Sequence, residues 1–258
     1  MREYSGDIVI IGGSLGGCAA ALAAARMGKK VIMTEETSWI GGQLTSQAVP
    51  PDENPWIEKF GCTMSYRQLR NGIRSYYRDH FPLTPEARQS FYLNPGNGGV
   101  SRLCHDPRVA VAVLYQMMAP YILSNQLTIW TRHKIQEVAT DGDRVISATV
   151  KNLDTGDKKT LIGDYFLDAT ECGDVLPLAG AEYVTGSESK EETGEPHALD
   201  GEADPLDMQS ITWCFAIDHI EGEDNTIDKP EQYEFWKNYR CEFWPDSMLS
   251  WKSCHPHT

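Results

Sequence analysis

Six residues near the N-terminus carry the clearest chemistry: Gly12-Gly13-Ser14-Leu15-Gly16-Gly17. They follow the apolar run Asp7-Ile8-Val9-Ile10-Ile11 and precede an alanine-rich stretch. A glycine-rich turn placed there allows a tight backbone path and the close approach of a pyrophosphate. The phosphates then face the free N–H groups and the positive end of a helix dipole. An acid at the end of the next apolar run completes the arrangement. Glu35 stands 18 residues after Gly17 and can accept a hydrogen bond from a ribose hydroxyl. Its charge speaks against a 2′-phosphorylated cofactor, because two anions repel. Glu36 is the alternative ribose ligand, but strand period puts it past the strand end, facing water. The usual pattern has glycine at positions 12, 14 and 17, and here the middle one is Ser14. Its side chain crowds the phosphate approach, while its hydroxyl can bond a phosphate oxygen. A glycine-rich turn without a ligand is the bland alternative, and the combined spacing argues against it.

Other clusters are weaker. Arg102, Cys104 and His105 follow a glycine-rich loop at 94–99. An Arg and a His beside a reactive cofactor can bind an acidic substrate or move a proton. A loop ion pair beside a helix-start histidine is the simpler account. Cys254-His255-Pro256-His257 has the residue types of a metal ligand set but no partner nearby, so no metal is expected. The seven cysteines form no CxxC and suggest no disulfide framework. Trp236 and Trp244 read as packing residues.

The elements that must position these groups follow from pattern. Residues 7–11 are β-branched and apolar, a strand buried on both faces. A helix over 16–27 ends at Gly28, and residues 30–34 form the next strand, giving a βαβ unit. Residues 37–104 read as a mostly irregular insertion with one helix over 66–80. Asp106-Pro107 starts a helix expected to reach about residue 118. Residues 127–131 are strand-like. Turn signals at Asp141-Gly142 and Thr155-Gly156-Asp157 separate strands at 135–139, 145–151 and 159–162, an antiparallel meander. Another strand covers 165–170, with a helix starting at 174. The stretch 186–207 holds eight acids and one base and is expected to be a solvated loop. A buried strand at 211–217 and a helix at 228–240 complete the pattern.

The net charge of −14 argues against nucleic-acid or anionic-membrane partners, which want a basic face. No segment reaches the roughly 18 apolar residues of a membrane helix. The first seven residues are too polar and too few for a signal peptide, so a cytoplasmic location is the default expectation.

The run from Asp7 to Ala21 resembles the opening of FAD-dependent oxidoreductases of the glutathione-reductase-like flavoprotein superfamily. Ile40-Gly41-Gly42-Gln43-Leu44-Thr45 is similar to their second glycine motif. Leu167-Asp168-Ala169-Thr170-Glu171-Cys172-Gly173-Asp174 is similar to their later Asp-Ala-Thr-Gly strand end. The resemblance implies an α/β fold: a Rossmann-like parallel sheet that binds FAD, an antiparallel meander, and part of a second, substrate domain. It places Gly12, Gly13, Ser14 and Leu15 around the pyrophosphate and Glu35 on the adenosine ribose. Gly42, Gln43 and Leu44 run along the ribityl and flavin side. Ile135 meets the adenine through its backbone, and Ala169 and Thr170 close the phosphate side. Glu171 stands where the family has glycine. Arg102 and His105 are the substrate-side candidates.

The expected domains are 1–180 for FAD, with the insertion at 37–104, and 181–258 as a truncated substrate domain. The expected activity is hydride transfer from a small organic substrate to flavin N5. A monooxygenase or halogenase is the alternative enzyme, and a nucleotide-binding module without turnover is the non-enzymatic one. The family's closing strand and helix are missing after residue 180. That predicts weak or absent FAD, no turnover, and an open edge at 165–170 exposing Phe166 and Leu167, with either a partner chain or a second copy covering it or a tendency to aggregate.

Overall fold

In the computed structural model, residues 2–209, 211, 220–241 and 246–247 are described. Two compact units are present, residues 1–216 and 217–258.

The first unit is organised by alternation along its central strands. β1 (Arg2–Ser5) precedes β2 (Ile8–Ile11), helix α1 (Leu15–Arg26) and β3 (Val31–Thr34). A 3-10 turn, Gly42–Leu44, follows, then α2 (Met64–His80), α3 (Pro85–Gln89) and α4 (Pro107–Leu123). β4 (Leu127–Trp130) leads into β5 (His133–Asp141), β6 (Arg144–Asn152), β7 (Lys158–Ile162) and β8 (Tyr165–Asp168). The parallel sheet has the order β4-β3-β2-β8, and a second sheet has the order β1-β7-β6-β5. Successive side chains of a strand point to opposite faces. Ile10, Val31 and Met33 therefore face α1, α2 and α4 in one core. Val9, Ile11 and Ile32 face Ile135, Ala148, Val150 and Leu161 of the second sheet in the other. The result is three layers: helices, parallel sheet, meander.

The helices begin where capping chemistry allows. Ser14 caps α1 by accepting from the Gly17 N–H at 3.2 Å, and Asp106 caps α4 through the Arg108 N–H at 2.9 Å. Small residues Ala21, Ala24 and Ala25 let α1 lie close on the sheet. α4 runs five residues past the expected stop at 118, because Pro120 sits in its last turns, where losing one N–H costs little. β1 was not anticipated, and it pairs in parallel with β7. α3 adds a short helix to the insertion, capped by Thr84 with Pro85 first. The strand expected over 165–170 stops at Asp168. Beyond it come the short helices α5 (Val175–Ala179) and α6 (Lys190–Thr193). The acidic stretch carries two isolated bridges, Ser187 to Asp204 and Ser189 to Leu199, and a Lys190–Asp200 ion pair at 2.6 Å.

Among the described residues no strand pairs with the outer edge of β8. The side chains on it differ from expectation: Phe166 and Leu167 are half-buried against the two cores, and Tyr165 is the exposed one. In the second unit, α7 (Tyr233–Asn238) is shorter than the helix expected over 228–240. The strand expected over 211–217 lies outside the described residues, apart from the exposed Ile211, as do Trp244 and the Cys254–His257 cluster. Among the described residues no helix is long and apolar enough to cross a membrane.

The insertion has a charged centre. Arg70 and Arg74, one helical turn apart on α2, point inward with Leu69, Ile73 and Tyr77. Arg70 is ion-paired with Glu53 and Glu58, and Arg74 reaches Glu58 at 2.6 Å. Tyr66 donates to Glu53 at 2.6 Å, and Arg74 also donates to the Leu93 carbonyl at 2.8 Å. Burial alone would raise the Glu58 carboxyl, but Arg74, Arg70 and Arg67 hold it below the usual carboxylate range. Removing one partner of a buried charge set leaves the others unpaired, at a cost of roughly 3–5 kcal/mol. Glu58→Ala is therefore expected to lose about that much stability. Arg67→Ala removes a contact of 4.0 Å at the edge of the cluster and a bond donated to the Ile57 carbonyl, and is expected to lose about 1–2 kcal/mol. Urea unfolding of both variants checks the contrast, and equal losses would contradict it.

A second polar knot lies on the meander. His133 is buried, with Nδ1 at 2.7 Å from the Thr131 carbonyl and Nε2 against the Lys159 ammonium. Lys159 in turn sits 4.6 Å from the centre of the Trp130 ring. Burial lowers the His133 pKa, the Thr131 bond opposes this, and Lys159 lowers it again; the net direction is down from 6.5. The folded chain thus favours the neutral ring. This contribution is complete above pH 6.5 and is lost as pH falls below it toward the lowered folded value. The Tm drop between pH 7.5 and 5.5 is expected to be smaller in His133→Gln than in the unmodified protein. Equal drops would remove His133 as the cause.

Candidate functional site

β2 has β3, the next strand of the chain, on one side and β8, which arrives from the second sheet, on the other, so the strand order reverses at β2. In open α/β sheets, ligands bind at such a switch point, beyond the carboxyl ends of the strands. A cleft of about 370 Å³ lies there. Its lining includes Gly12 after β2, Glu35 after β3, and Ala169 and Thr170 after β8, together with Ile135 from the meander.

The glycine turn is locked from three sides. Gly12 has φ +100°, and a Cβ there would lie 2.1 Å from the Ala169 carbonyl oxygen. A Cβ on Gly17 would lie 2.3 Å from the Gly12 oxygen. Glycine at these two positions thus serves the meeting of β2, α1 and the loop after β8. Gly13 donates its N–H to Glu35 Oε2 at 2.8 Å, and its carbonyl accepts from the Gly41 N–H at 2.7 Å. Ser14 spends its hydroxyl on the Gly17 N–H, which is its local role. The N–H groups of Leu15 and Gly16 have no partner among the described residues, and Gly16 is exposed. Cys18 lies beneath the turn, with Sγ 3.5 Å from the Gly13 carbonyl. Burial, reinforced by the Glu35 charge, pushes its thiol up to about 12, so it is an inert packing group.

Glu35 is buried one residue past the end of β3. Besides Gly13, it accepts from the Thr37 N–H at 2.7 Å through Oε1. A carboxylate has about four acceptor positions, so room remains for a ribose hydroxyl. Glu36 is exposed on the cleft rim and paired with Lys134 at 2.9 Å. The second glycine motif packs directly on the first. Gly41 and Gly42 both take positive φ, and a Cβ on Gly42 would lie 3.1 Å from Ser14 Cα. Gln43 donates to Asp52 at 3.0 Å, and the Leu44 side chain is buried in the helical core. Ile135 is buried, and the β5–β6 register shifts just after it, a bulge that exposes the start of β5 to the cleft.

The loop after β8 shows a residue whose role the sequence reading missed. Asp168 accepts from the Thr170 N–H at 3.0 Å, the Thr170 hydroxyl at 2.7 Å and the Val175 N–H at 2.9 Å. Thr170 Oγ1 accepts from the Asp174 N–H at 2.8 Å. The Asp-Ala-Thr signature is thus a folded turn, visible in sequence as an Asp followed two residues later by Thr. His133, Lys134 and Cys172 also line the cleft unforeseen. His105 comes to the second glycine motif, with Nε2 3.3 Å from the Leu44 carbonyl and Nδ1 3.0 Å from the Leu103 carbonyl. Arg102 does not join it. It is exposed and lines a separate groove with Trp56, Glu58, Tyr92 and Asn94. No group of three or more metal-binding side chains occurs among the described residues.

Comparison with known proteins follows this geometry. No curated protein sequence matches the chain. Similar solved structures include L-proline dehydrogenase from P. horikoshii, with TM-score 0.35, 17% identity, and 66% of this chain covering 23% of that one. The glycerol-3-phosphate dehydrogenase from Bacillus halodurans, complexed with FAD, has TM-score 0.44 and 13% identity, over 69% of this chain and 37% of that one. The myxobacterial halogenase CndH has TM-score 0.39 and 15% identity, over 64% and 37%. The chain thus spans 23% to 37% of the length of these proteins. The family described as FAD dependent oxidoreductase matches residues 7–254. That match runs through both glycine motifs and the Asp-Ala-Thr turn, and the chain belongs to the FAD dependent oxidoreductase family.

Proposed function

We propose that this chain holds FAD along the carboxyl ends of β2, β3 and β8 and serves the oxidation of a small organic substrate, with flavin N5 as the hydride acceptor. The observation that carries this is the doubly held Gly13 peptide beside the unpaired Leu15 and Gly16 N–H groups. It is a preformed anion seat at the N-terminus of a 12-residue helix, with a buried carboxylate one strand away.

The residues present fit the cofactor. Glu35 holds the ribose while fixing Gly13. The Leu15 and Gly16 N–H groups would hold the pyrophosphate, and the chain toward the flavin would pass the second glycine motif, where Gly42 lies against Ser14 and the Glu171 carboxylate. Ile135 offers its backbone edge to the adenine at the bulge, and Ala169 and Thr170 form the opposite wall. Bound FAD supplies a two-electron acceptor, and the protein supplies position and electrostatics. His105, at the Leu44 carbonyl beside the second glycine motif, is the residue we assign to the substrate side.

Two substitutions test the assignment. A hydrogen bond to a charged group is worth about 1.5–3 kcal/mol, or roughly 10- to 100-fold in affinity. Glu35→Ala is expected to weaken FAD binding by that factor, and Glu36→Ala to leave it within about twofold. Fluorescence titration measures both, and unaltered affinity in Glu35→Ala would exclude the ribose role. Gly12→Val should yield flavin-free protein, since its side chain would collide with the Ala169 peptide and displace the wall of the seat. A fully loaded, yellow Gly12→Val protein would refute the phosphate-loop assignment.

A further inference from the structure

Glu171 directly follows the Asp-Ala-Thr turn, and the fold shows where its side chain goes. A Cβ on Gly42 would lie 2.5 Å from Glu171 Oε1 and 3.1 Å from Ser14 Cα. The carboxylate therefore stands over Gly42, beside the residue that caps α1. Glu171 is exposed, lines the cleft, and makes no hydrogen bond or ion pair among the described residues. The cleft holds three other acids, Glu35, Glu36 and Asp174, and its one lysine, Lys134, is paired with Glu36. Among the described residues no cation pairs with Glu171.

We propose that Glu171 is a specificity-determining residue of the nucleotide site: it admits a pyrophosphate esterified at both ends, as in FAD, and disfavours a nucleotide that ends in a free phosphate, such as ADP. The proposal rests on the FAD assignment above. If Glu35 holds the ribose and the N-terminus of α1 the first phosphate, the second phosphate would lie near Gly42, within reach of the Glu171 carboxylate. In FAD that phosphate is a diester with one negative charge. In ADP it is terminal and carries nearly two at pH 7, since its second ionisation falls near pH 6. The same carboxylate thus opposes ADP more strongly than FAD.

The test measures affinities of the unmodified protein, Glu171→Gln and Glu171→Gly for FAD, by flavin fluorescence, and for ADP, by displacement of bound FAD. The glutamine keeps the shape and removes the charge. The ratio of the ADP to the FAD dissociation constant is expected to fall about two- to fivefold in both variants, the scale of an exposed charge interaction. The difference should shrink in high salt. An unchanged ratio in Glu171→Gln, or a fall in Glu171→Gly alone, would overturn the charge-based role while leaving FAD binding intact. Failure of all three proteins to bind FAD would instead overturn the FAD assignment itself, and this proposal with it.

Discussion

The peptide of Gly13 is held at both ends: its N–H by the buried Glu35 carboxylate, its carbonyl by the Gly41 N–H. These two bonds join three segments distant in sequence, the turn after β2, the end of β3 and the second glycine motif. With Gly13 fixed, α1 starts where Ser14 can cap it, and the next two N–H groups are left for a ligand. A charge-assisted bond in a buried place is strong because water does not compete for it. Glu35 therefore shapes the turn through its own bonds, and lone pairs remain on the carboxylate for the proposed ribose contact.

The site is thus a junction of loops whose walls support one another. Gly12 has no room for a side chain because Ala169 lies against it, and Ala169 is placed by its N–H bond to the Ile11 carbonyl at 2.7 Å. Asp168 then folds the following turn back so that Thr170 and Asp174 border the cleft. The wall at Gly12 and Ala169 is backbone, and backbone held by paired hydrogen bonds is stiffer than long side chains. A preorganised seat of this kind costs little ordering on binding.

Much of this was legible in the residues. The βαβ unit followed from β-branched runs, an alanine-rich helix and Gly28, and the meander followed from its two turns. Glu35 and the glycine turn came from spacing, and the structure brings Gly12, Glu35, Ile135, Ala169 and Thr170 to one cleft. What escaped did so for physical reasons. β1 is four residues with one half-buried side chain, too short for a period to show, and only its pairing with β7 makes it a strand. The burial of Arg70 and Arg74 has no local sign, because Glu53 and Glu58 that pair with them come from a separate loop. The glycines at 12 and 17 read as room for phosphate, whereas the contact that demands them is with the protein's own backbone. Arg102 and His105 are three residues apart, but a loop sends one to a surface groove and the other to the second glycine motif.

The partnership of β2 with β8 joins Ile8 to Tyr165, and β1 joins β7 across a similar span. During synthesis the strands β2, β3 and β4 can assemble first, with α1 and α4 laid over one face. The first-made strand must then wait, one edge bare, until residues 165–168 emerge. Closing such distant pairs costs loop entropy before any contact repays it, so the sheet is completed late. Because Ala169 is the wall that completes the nucleotide seat, the last strand to join the sheet is also the one that makes the site competent. The pairing that closes the parallel sheet and the wall that closes the cleft therefore depend on the same late segment of chain.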